Sequence, residues 1–217
     1  MTILYSYKEG NYINLNDVDY NKPETIPENI YVNITNKCPC RCSFCIREED
    51  SIKEFDELWL KTEPTVKEVI YEFEKVDLSK YSEIIFCGYG EPLTRLNAVI
   101  DISRYLKSRK NSLKLRVNTN GLGDLINKTD VAKAIGNYID SVSISLNASN
   151  KEKYLEITKS SFGIDSFEGM IKFAVNCKKY IDDVALSVVD IIGEEEVNKC
   201  KELCNKYDLK LKIRQFR

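Results

Sequence analysis

One stretch organises this sequence: Ile30-Tyr31-Val32-Asn33-Ile34-Thr35, then Asn36-Lys37, then Cys38-Pro39-Cys40-Arg41-Cys42-Ser43-Phe44-Cys45. The alternation of apolar and polar residues over 30–35 predicts a β-strand. Half of the eight cysteines lie in the loop that follows it. Thiolates this close together repel one another unless they share a cation, and soft sulfur selects zinc or an iron–sulfur cluster. The stretch therefore predicts a metal centre at the end of a strand.

The cysteine spacing favours the iron–sulfur cluster over zinc. Zinc sites usually need two ligand pairs from separate places, whereas no second pair follows here and the chain has no histidine. Cys38, Cys42 and Cys45 form Cys-x3-Cys-x2-Cys, so they can hold three corners of a cubane cluster and leave the fourth iron open to a small molecule. Cys40 does not fit this spacing, and we interpret it as a bystander. A zinc knuckle or a chance cysteine cluster is the alternative.

The cysteine spacing, with the aromatic Phe44 before the last cysteine, resembles the signature of the radical S-adenosylmethionine (SAM) superfamily. The resemblance covers residues 30–217. It implies a [4Fe–4S] cluster on Cys38, Cys42 and Cys45, SAM chelated at the open iron, and an electron from flavodoxin or ferredoxin. The product would be a 5′-deoxyadenosyl radical that abstracts hydrogen from an unidentified small-molecule or peptide substrate. Residues 31–36, 45–47 and 86–92 further resemble the group associated with TatD-type nucleases, which implies a functional link to such a nuclease.

The segment Gly88-Tyr89-Gly90-Glu91-Pro92 resembles the superfamily's Gly-Gly-Glu-Pro motif, which binds the amino group of SAM. Glycines let backbone carbonyls approach a ligand closely, and a carboxylate can accept from an ammonium group. Tyr89 departs from the motif by standing where the first glycine usually lies. The alternative is an ordinary strand-to-helix turn.

Other SAM contacts follow from the resemblance at the ends of later strands. It places Asn118 and Asn120 beside SAM and the substrate, although Asn120-Gly121 is also a good turn former. Contacts to the ribose and carboxylate of SAM are expected from Ser143, Ser145 and Asn147. An adenine-supporting motif is matched in part by Ile191, Gly193 and Glu196, with Val189 in place of its first glycine. Alternatively, residues 194–196 are acids that favour a helix dipole.

Strand and helix patterns alternate along the chain from residue 30. The predicted strands are residues 30–35, 83–87, 113–118, 141–146, 184–189 and 209–214. The predicted helices are residues 65–76, 93–108, 130–137, 166–180 and 194–207, with capping boxes at Thr65 and Asp165. Six units imply a parallel α/β sheet and are too few for an eight-stranded barrel. A partial (β/α)6 TIM-type barrel, the fold of the superfamily, agrees with this count.

The chain is expected to form two regions. Residues 1–29 read as an N-terminal β-hairpin, with strands at 3–7 and 12–15, and a connector; the hairpin would cap the bottom or the edge of the barrel. Residues 30–217 would form the barrel domain. The segment 48–63 is interpreted as ordinary packing, with a substrate-covering lid as the alternative.

Polar residues alternate with apolar ones along four of the strands, which predicts a polar face lining the barrel interior. Arg116, Lys212 and Arg214 would make this interior basic, so we expect an anionic substrate. The alternative is that these side chains reach out to solvent at the strand ends. Arg47, just past the last cysteine, is a further candidate substrate contact.

Composition excludes some functions. The formal net charge is −2, so no global basic field points to nucleic acid. No run is apolar enough to span a membrane, no signal peptide is evident, and the cysteine pattern indicates a reducing cytoplasm with little oxygen. Cys177, Cys200 and Cys204 are expected in the core.

Two alternative functions remain. One is another small radical SAM enzyme, such as a 7-carboxy-7-deazaguanine synthase or a glycyl-radical activase. The other is a non-enzymatic iron–sulfur or zinc protein.

Overall fold

The computed structural model describes residues 2–8, 11–45 and 58–215. Their strands form one sheet in the order β2-β1-β3-β4-β5-β6-β7-β8. The strands are β1 Leu4–Lys8, β2 Asn11–Asn14, β3 Asn29–Val32, β4 Glu83–Phe86, β5 Lys114–Thr119, β6 Ser141–Ser145, β7 Asp183–Val189 and β8 Lys210–Arg214. Strands β3 to β8 pair in parallel, while β1 pairs antiparallel with both β2 and β3. The six predicted parallel strands are confirmed, and the sheet ends at β2 and β8 rather than closing.

The α-helices connect these parallel strands. They are α1 Val66–Glu74, α2 Leu96–Arg109, α3 Gly123–Asn127, α4 Val131–Ile135, α5 Lys151–Thr158, α6 Ser166–Cys177 and α7 Glu194–Lys206. The capping box at α1 is confirmed, since Thr65 accepts from the Glu68 amide and Glu68 bonds back to Thr65. The capping box at Asp165 is wrong, because Asp165 has helical backbone angles within a preceding 3-10 turn and its side chain makes no cap bond.

The helices cover one face of the sheet. Every second residue of the parallel strands, such as Ile84 and Phe86 of β4, packs with helix residues such as Phe73 and Phe173 in a single buried core. The predicted core positions Cys177, Cys200 and Cys204 belong to it. The alternate strand positions, such as Tyr31, Arg116 and Ser143, lie on the opposite side, which we call the inner face. The predicted apolar face under the helices is thus confirmed, whereas the inner face mixes polar residues with the buried Ile85 and Ala185.

The N-terminal hairpin extends the sheet at its edge. Leu4 pairs with Val32 and Tyr5 with Tyr31, so the hairpin adds two antiparallel strands beside β3. Of the two placements expected from the sequence, the edge is therefore the observed one. Residues 9–10 of the hairpin turn, Arg47 and most of the 48–63 segment lie outside the described residues.

Candidate active site

The cysteine loop lies at the carboxyl end of β3 and rests on helix α5. The backbone amide of Arg41 donates to the carbonyl of Thr158 at 2.8 Å, and that of Ser43 donates to Ile157 at 2.9 Å. On the other side of the loop, the Ser161 amide donates to the Pro39 carbonyl at 2.9 Å. Free carbonyls at a helix end are natural acceptors for such amides. Helix α5 was not predicted from the sequence, yet it holds the most distinctive motif in the chain.

Within the loop, a backbone hydrogen bond joins two of the three predicted ligands. The Cys45 amide donates to the Cys42 carbonyl at 3.0 Å, and Cys38, Cys42, Cys45 and Phe44 are all partly exposed. Across the described ranges no three His, Cys, Asp or Glu side chains form a preformed metal-ligand group. The assignment of the three cysteines as cluster ligands therefore stays a prediction that rests on their spacing.

Cys40 lies among the predicted ligands rather than apart from them. Its side chain is buried, and hydrogen bonds with Cys38 and Cys42, followed by burial, raise the pKa of the Cys40 thiol. The same contact lowers the pKa of Cys42, because the Cys40 thiol donates to it. The Asn120 Nδ2 atom lies 3.8 Å from the sulfurs of both Cys38 and Cys40. Cys40 therefore lies in contact with two of the predicted ligands.

The glycines that end β4 allow the cysteine loop to pack closely against this strand. A Cβ atom on Gly90 would lie 2.4 Å from the Thr35 carbonyl oxygen and 2.7 Å from that of Lys37. A Cβ on Gly88 would lie 2.2 Å from Asn33 Oδ1. Real Cβ atoms do not approach other atoms this closely, so Gly90 is needed to fit against the backbone before the loop, and Gly88 leaves room for the buried Asn33 side chain.

The Glu91 carboxylate is buried and fully engaged within the protein. Its Oε1 accepts from the Leu93 amide at 3.0 Å and the Thr119 hydroxyl at 2.8 Å, and its Oε2 accepts from the Asn120 amide at 2.7 Å. Burial raises the pKa of Glu91 to about 7, although the three hydrogen bonds oppose this shift. Glu91 thus joins the ends of β4 and β5, and its predicted contact with the ammonium group of SAM stays a prediction.

The polar candidates on β5 and β6 lie together on the inner face. Asn118 is in register with Ser143, and both are partly buried, as is Ser145. Asn147 follows β6 with φ +62° and is buried. The Oδ1 atoms of Asn118 and Asn147 have no hydrogen-bond partner among the described residues. Buried amide oxygens normally have partners, so these two are the atoms best placed to receive donors from a ligand.

The candidate adenine motif has two parts with different surroundings. Ile191 is 53% exposed, and Gly193 takes φ +85° at the start of α7. Glu196 is buried, where its carboxylate accepts from the Ser149 amide at 2.8 Å and from Lys153 Nζ at 2.6 Å. Burial alone would raise the pKa of Glu196, but these hydrogen bonds outweigh it and lower the pKa to about 2. Glu196 therefore joins α7 to the segment between β6 and α5.

The predicted basic interior is wrong at two of its three positions. Arg116 Nη2 lies 3.1 Å from Glu83 Oε2, and Lys212 Nζ lies 3.8 Å from Asp183 Oδ2, so carboxylates offset both charges. Arg214 is exposed at the end of β8 and forms no ion pair within the described part of the chain.

An aromatic group beside the β4 motif was not predicted from the sequence. The rings of Tyr5 and Tyr31 stack with centroids 5.2 Å apart, and Tyr89 is buried with Tyr5 and Leu58. Trp59 lies 6.1 Å from Tyr89 between ring centroids. This packing explains why tyrosine replaces glycine in the β4 motif. The period-two pattern of β1 and β3 was the available signal, since it places Tyr5 and Tyr31 on the inner face.

The residues around the loop fit the cofactors that the resemblance implies. The thiols of Cys38, Cys42 and Cys45 supply soft ligands for iron. Two amide oxygens on the inner face, of Asn118 and Asn147, have no partner among the described residues and can accept from the hydroxyl or ammonium groups of SAM. The donor set and the unpartnered acceptors therefore match the chemistry of both cofactors.

Comparisons with known proteins agree with this reading. A GTP 3',8-cyclase from Limosilactobacillus fermentum is 27% identical over 177 residues, which are 82% of this chain and 50% of that protein. The crystal structure of SuiB from Streptococcus suis has a TM-score of 0.59 at 16% identity, over 88% of this chain and 40% of that one. For a radical SAM methyltransferase from Sphaerobacter thermophilus the TM-score is 0.55 at 15% identity, over 88% and 56%. The chain thus spans about half the length of the curated relatives it matches.

A family model decides the assignment. The model of the Radical SAM superfamily matches residues 32–204, which include the cysteine loop, the β4 motif and every strand from β4 to β7. Members of this superfamily use a [4Fe–4S] cluster and SAM, so the predictions of superfamily, partial barrel and cofactors are confirmed. No helix in the described ranges is long and apolar enough to cross a membrane. This chain belongs to the radical SAM superfamily.

Proposed function

We propose that this chain binds a [4Fe–4S] cluster through Cys38, Cys42 and Cys45 and catalyses the reductive cleavage of SAM. When bound, these cofactors supply a 5′-deoxyadenosyl radical that takes a hydrogen atom from a substrate. The observation that carries the proposal is the seating of the Cys-x3-Cys-x2-Cys loop on α5 and against the β4 turn, within the region that matches the superfamily.

The protein's own residues have three tasks in this reaction. The loop amides of Arg41 and Ser43, bound to the end of α5, fix the cysteine backbone. Asn118 and Asn147 orient SAM through their unpartnered amide oxygens. Tyr5, Tyr31 and Tyr89 give the inner face beside the β4 motif an aromatic surface, which keeps water away from a reactive radical.

The substrate is proposed to be a small molecule or peptide with an anionic group. Arg214 supports this, because it is exposed at the carboxyl end of β8 and no described carboxylate pairs with it. The curated relatives named GTP 3',8-cyclase act on an anionic nucleotide by that name, but this chain matches only about half of their length.

We infer that a flavodoxin or ferredoxin donates the electron and that the protein works in a reducing cytoplasm. The eight cysteines agree with such a compartment, since they form no disulfide within the described residues. A functional link to a TatD-type nuclease is a further proposal from the motif resemblance.

Electron paramagnetic resonance tests whether SAM binds at an open iron. The anaerobically reconstituted protein, reduced with dithionite, should give a cluster signal whose g-values shift when SAM is added. S-adenosylhomocysteine, which lacks the sulfonium charge, is the comparison ligand. A cluster signal that SAM leaves unchanged would contradict the proposal and favour an electron-transfer role.

A further inference from the structure

Helix α5 contains a buried tyrosine whose hydroxyl has no partner in the described part of the chain. Tyr154 is 0% exposed, and its OH makes no hydrogen bond to any described residue. A phenol in the protein interior normally finds a partner, because burying an unpaired polar group costs free energy. Phenylalanine would fill the same space without that cost. The hydroxyl therefore calls for an explanation beyond packing.

Tyr154 lies in the same helix as the carbonyls that hold the cysteine loop. It lies one helical turn before Ile157 and Thr158, whose carbonyls accept the loop amides of Ser43 and Arg41. The Thr158 hydroxyl donates to the Tyr154 carbonyl at 2.7 Å, and the Phe167 ring meets the Tyr154 ring edge-on with centroids 5.6 Å apart. Both contacts fix the tyrosine beneath the loop.

The cysteine loop that rests on α5 offers sulfur atoms as acceptors for this hydroxyl. Burial raises the pKa of Tyr154 most, and the nearby Cys40, Cys42, Glu91 and Cys38 raise it further, in that order. Of these neighbours, Glu91 already accepts three hydrogen bonds. A phenol surrounded by groups that become negative is a natural hydrogen-bond donor to them.

We propose that the Tyr154 hydroxyl donates a hydrogen bond to a sulfur of the cluster site, either a cysteine sulfur or an inorganic sulfide, and so sets the reduction potential of the cluster. The inference rests on the proposed function. A hydrogen bond to a cluster sulfur stabilises the reduced, more negative state, and hydrogen bonds and solvent exposure are established determinants of cluster potentials. Tyr154 is in this view a positioning residue that favours electron uptake.

The test is a potentiometric titration of Tyr154→Phe, followed by the amplitude of the reduced cluster signal. At the potential where the wild-type cluster is half reduced, we expect the ratio of reduced to oxidised cluster to fall about tenfold, which corresponds to 59 mV for one electron. The control is Tyr81→Phe, which removes another buried hydroxyl, one that pairs with Tyr20 at 2.9 Å. This control should leave the potential unchanged.

A second readout separates this role from a structural one. Without the cluster, Tyr154→Phe should be at least as stable to thermal unfolding as the wild type, whereas Tyr81→Phe should be less stable. A potential for Tyr154→Phe equal to that of the wild type would overturn the inference, while the proposed function would stand. Failure of the wild-type protein to assemble any cluster would overturn both.

Discussion

Glu91 Oε2 accepts the backbone amide of Asn120 at 2.7 Å, so a buried carboxylate joins the ends of β4 and β5. The other oxygen of Glu91 accepts from Leu93 and Thr119. The Asn120 side chain, held in this way, lies beside the sulfurs of Cys38 and Cys40. The β4 motif thus acts on the cysteine loop through Asn120 as well as through its own backbone.

Replacing Glu91 with glutamine should destabilise the protein. Glutamine offers one acceptor oxygen, so its amide nitrogen would face either the Asn120 amide or the donors from Leu93 and Thr119. We expect Glu91→Gln to lower the free energy of unfolding at pH 8 by about 1–3 kcal/mol in chemical denaturation. Glu72→Gln, on the surface of α1 and paired with Lys75, should cost less than about 1 kcal/mol. Equal losses for the two variants would contradict this role of Glu91.

Gly90→Ala should displace the cysteine loop. The added methyl would meet the carbonyl oxygens of Thr35 and Lys37, and backbone moves only at a cost, so we expect a loss of about 1–3 kcal/mol in the free energy of unfolding. Cluster content after reconstitution, measured as iron and sulfide per chain, should fall as well. The control is Gly169→Ala in α6, whose methyl would meet only the flexible end of Leu125. The control should retain the cluster and full stability.

Glu196 should stabilise the folded protein at neutral pH and lose this effect at acidic pH. Its pKa is lowered from 4.5 to about 2, so the stability it contributes is complete above pH 4.5 and is lost as the pH falls towards 2. We expect wild type to exceed Glu196→Gln by about 2 kcal/mol at pH 6. This difference should shrink steadily below pH 4.5. Glu195→Gln, an exposed neighbour, should show a much smaller difference at every pH. A wild-type advantage at pH 2.5 as large as that at pH 6 would contradict the assignment.

Replacing Asn147 should weaken SAM binding without affecting folding. Its φ of +62° suits asparagine or glycine, and its buried Oδ1 has no partner among the described residues. Asn147→Gly keeps the backbone conformation and removes the acceptor. We expect this variant to fold as well as the wild type but to bind SAM about tenfold more weakly, equivalent to about 1.4 kcal/mol, in equilibrium dialysis of cluster-loaded protein. Unchanged SAM affinity in a folded variant would remove Asn147 from the SAM site.

The fold was largely predictable because its strands alternate with period two and its helices follow them in order. Strand β3 ends earlier than predicted, at Val32, and beyond it the side chains of Asn33 and Asn36 donate to the carbonyls of Leu58 and Leu60. Helix α5 was missed because only Tyr154 and Thr158 of its residues are buried, which leaves little apolar periodicity. The Asn150 cap, which accepts from the Lys153 amide, was the signal that could have found it.

The features of the site that depend on the spacing of residues along the chain were predictable. The ion pairs that depend on the alignment of neighbouring strands were not. Cys38, Cys42 and Cys45 stand out in the sequence by their intervals alone. The pairing of Arg116 with Glu83 depends on how β4 and β5 align, which the sequence does not display. The pairing of Lys212 with Asp183 depends in the same way on how β8 aligns with β7. The interior was therefore predicted to be more basic than it is.

Production of 5′-deoxyadenosine tests the central claim most directly. The protein is reconstituted anaerobically with iron and sulfide, reduced with dithionite and given SAM, and the product is measured by chromatography. The wild type and Cys40→Ala should form 5′-deoxyadenosine and methionine, whereas Cys42→Ala should form neither. Wild-type protein that carries a reduced cluster yet yields no 5′-deoxyadenosine would contradict the account.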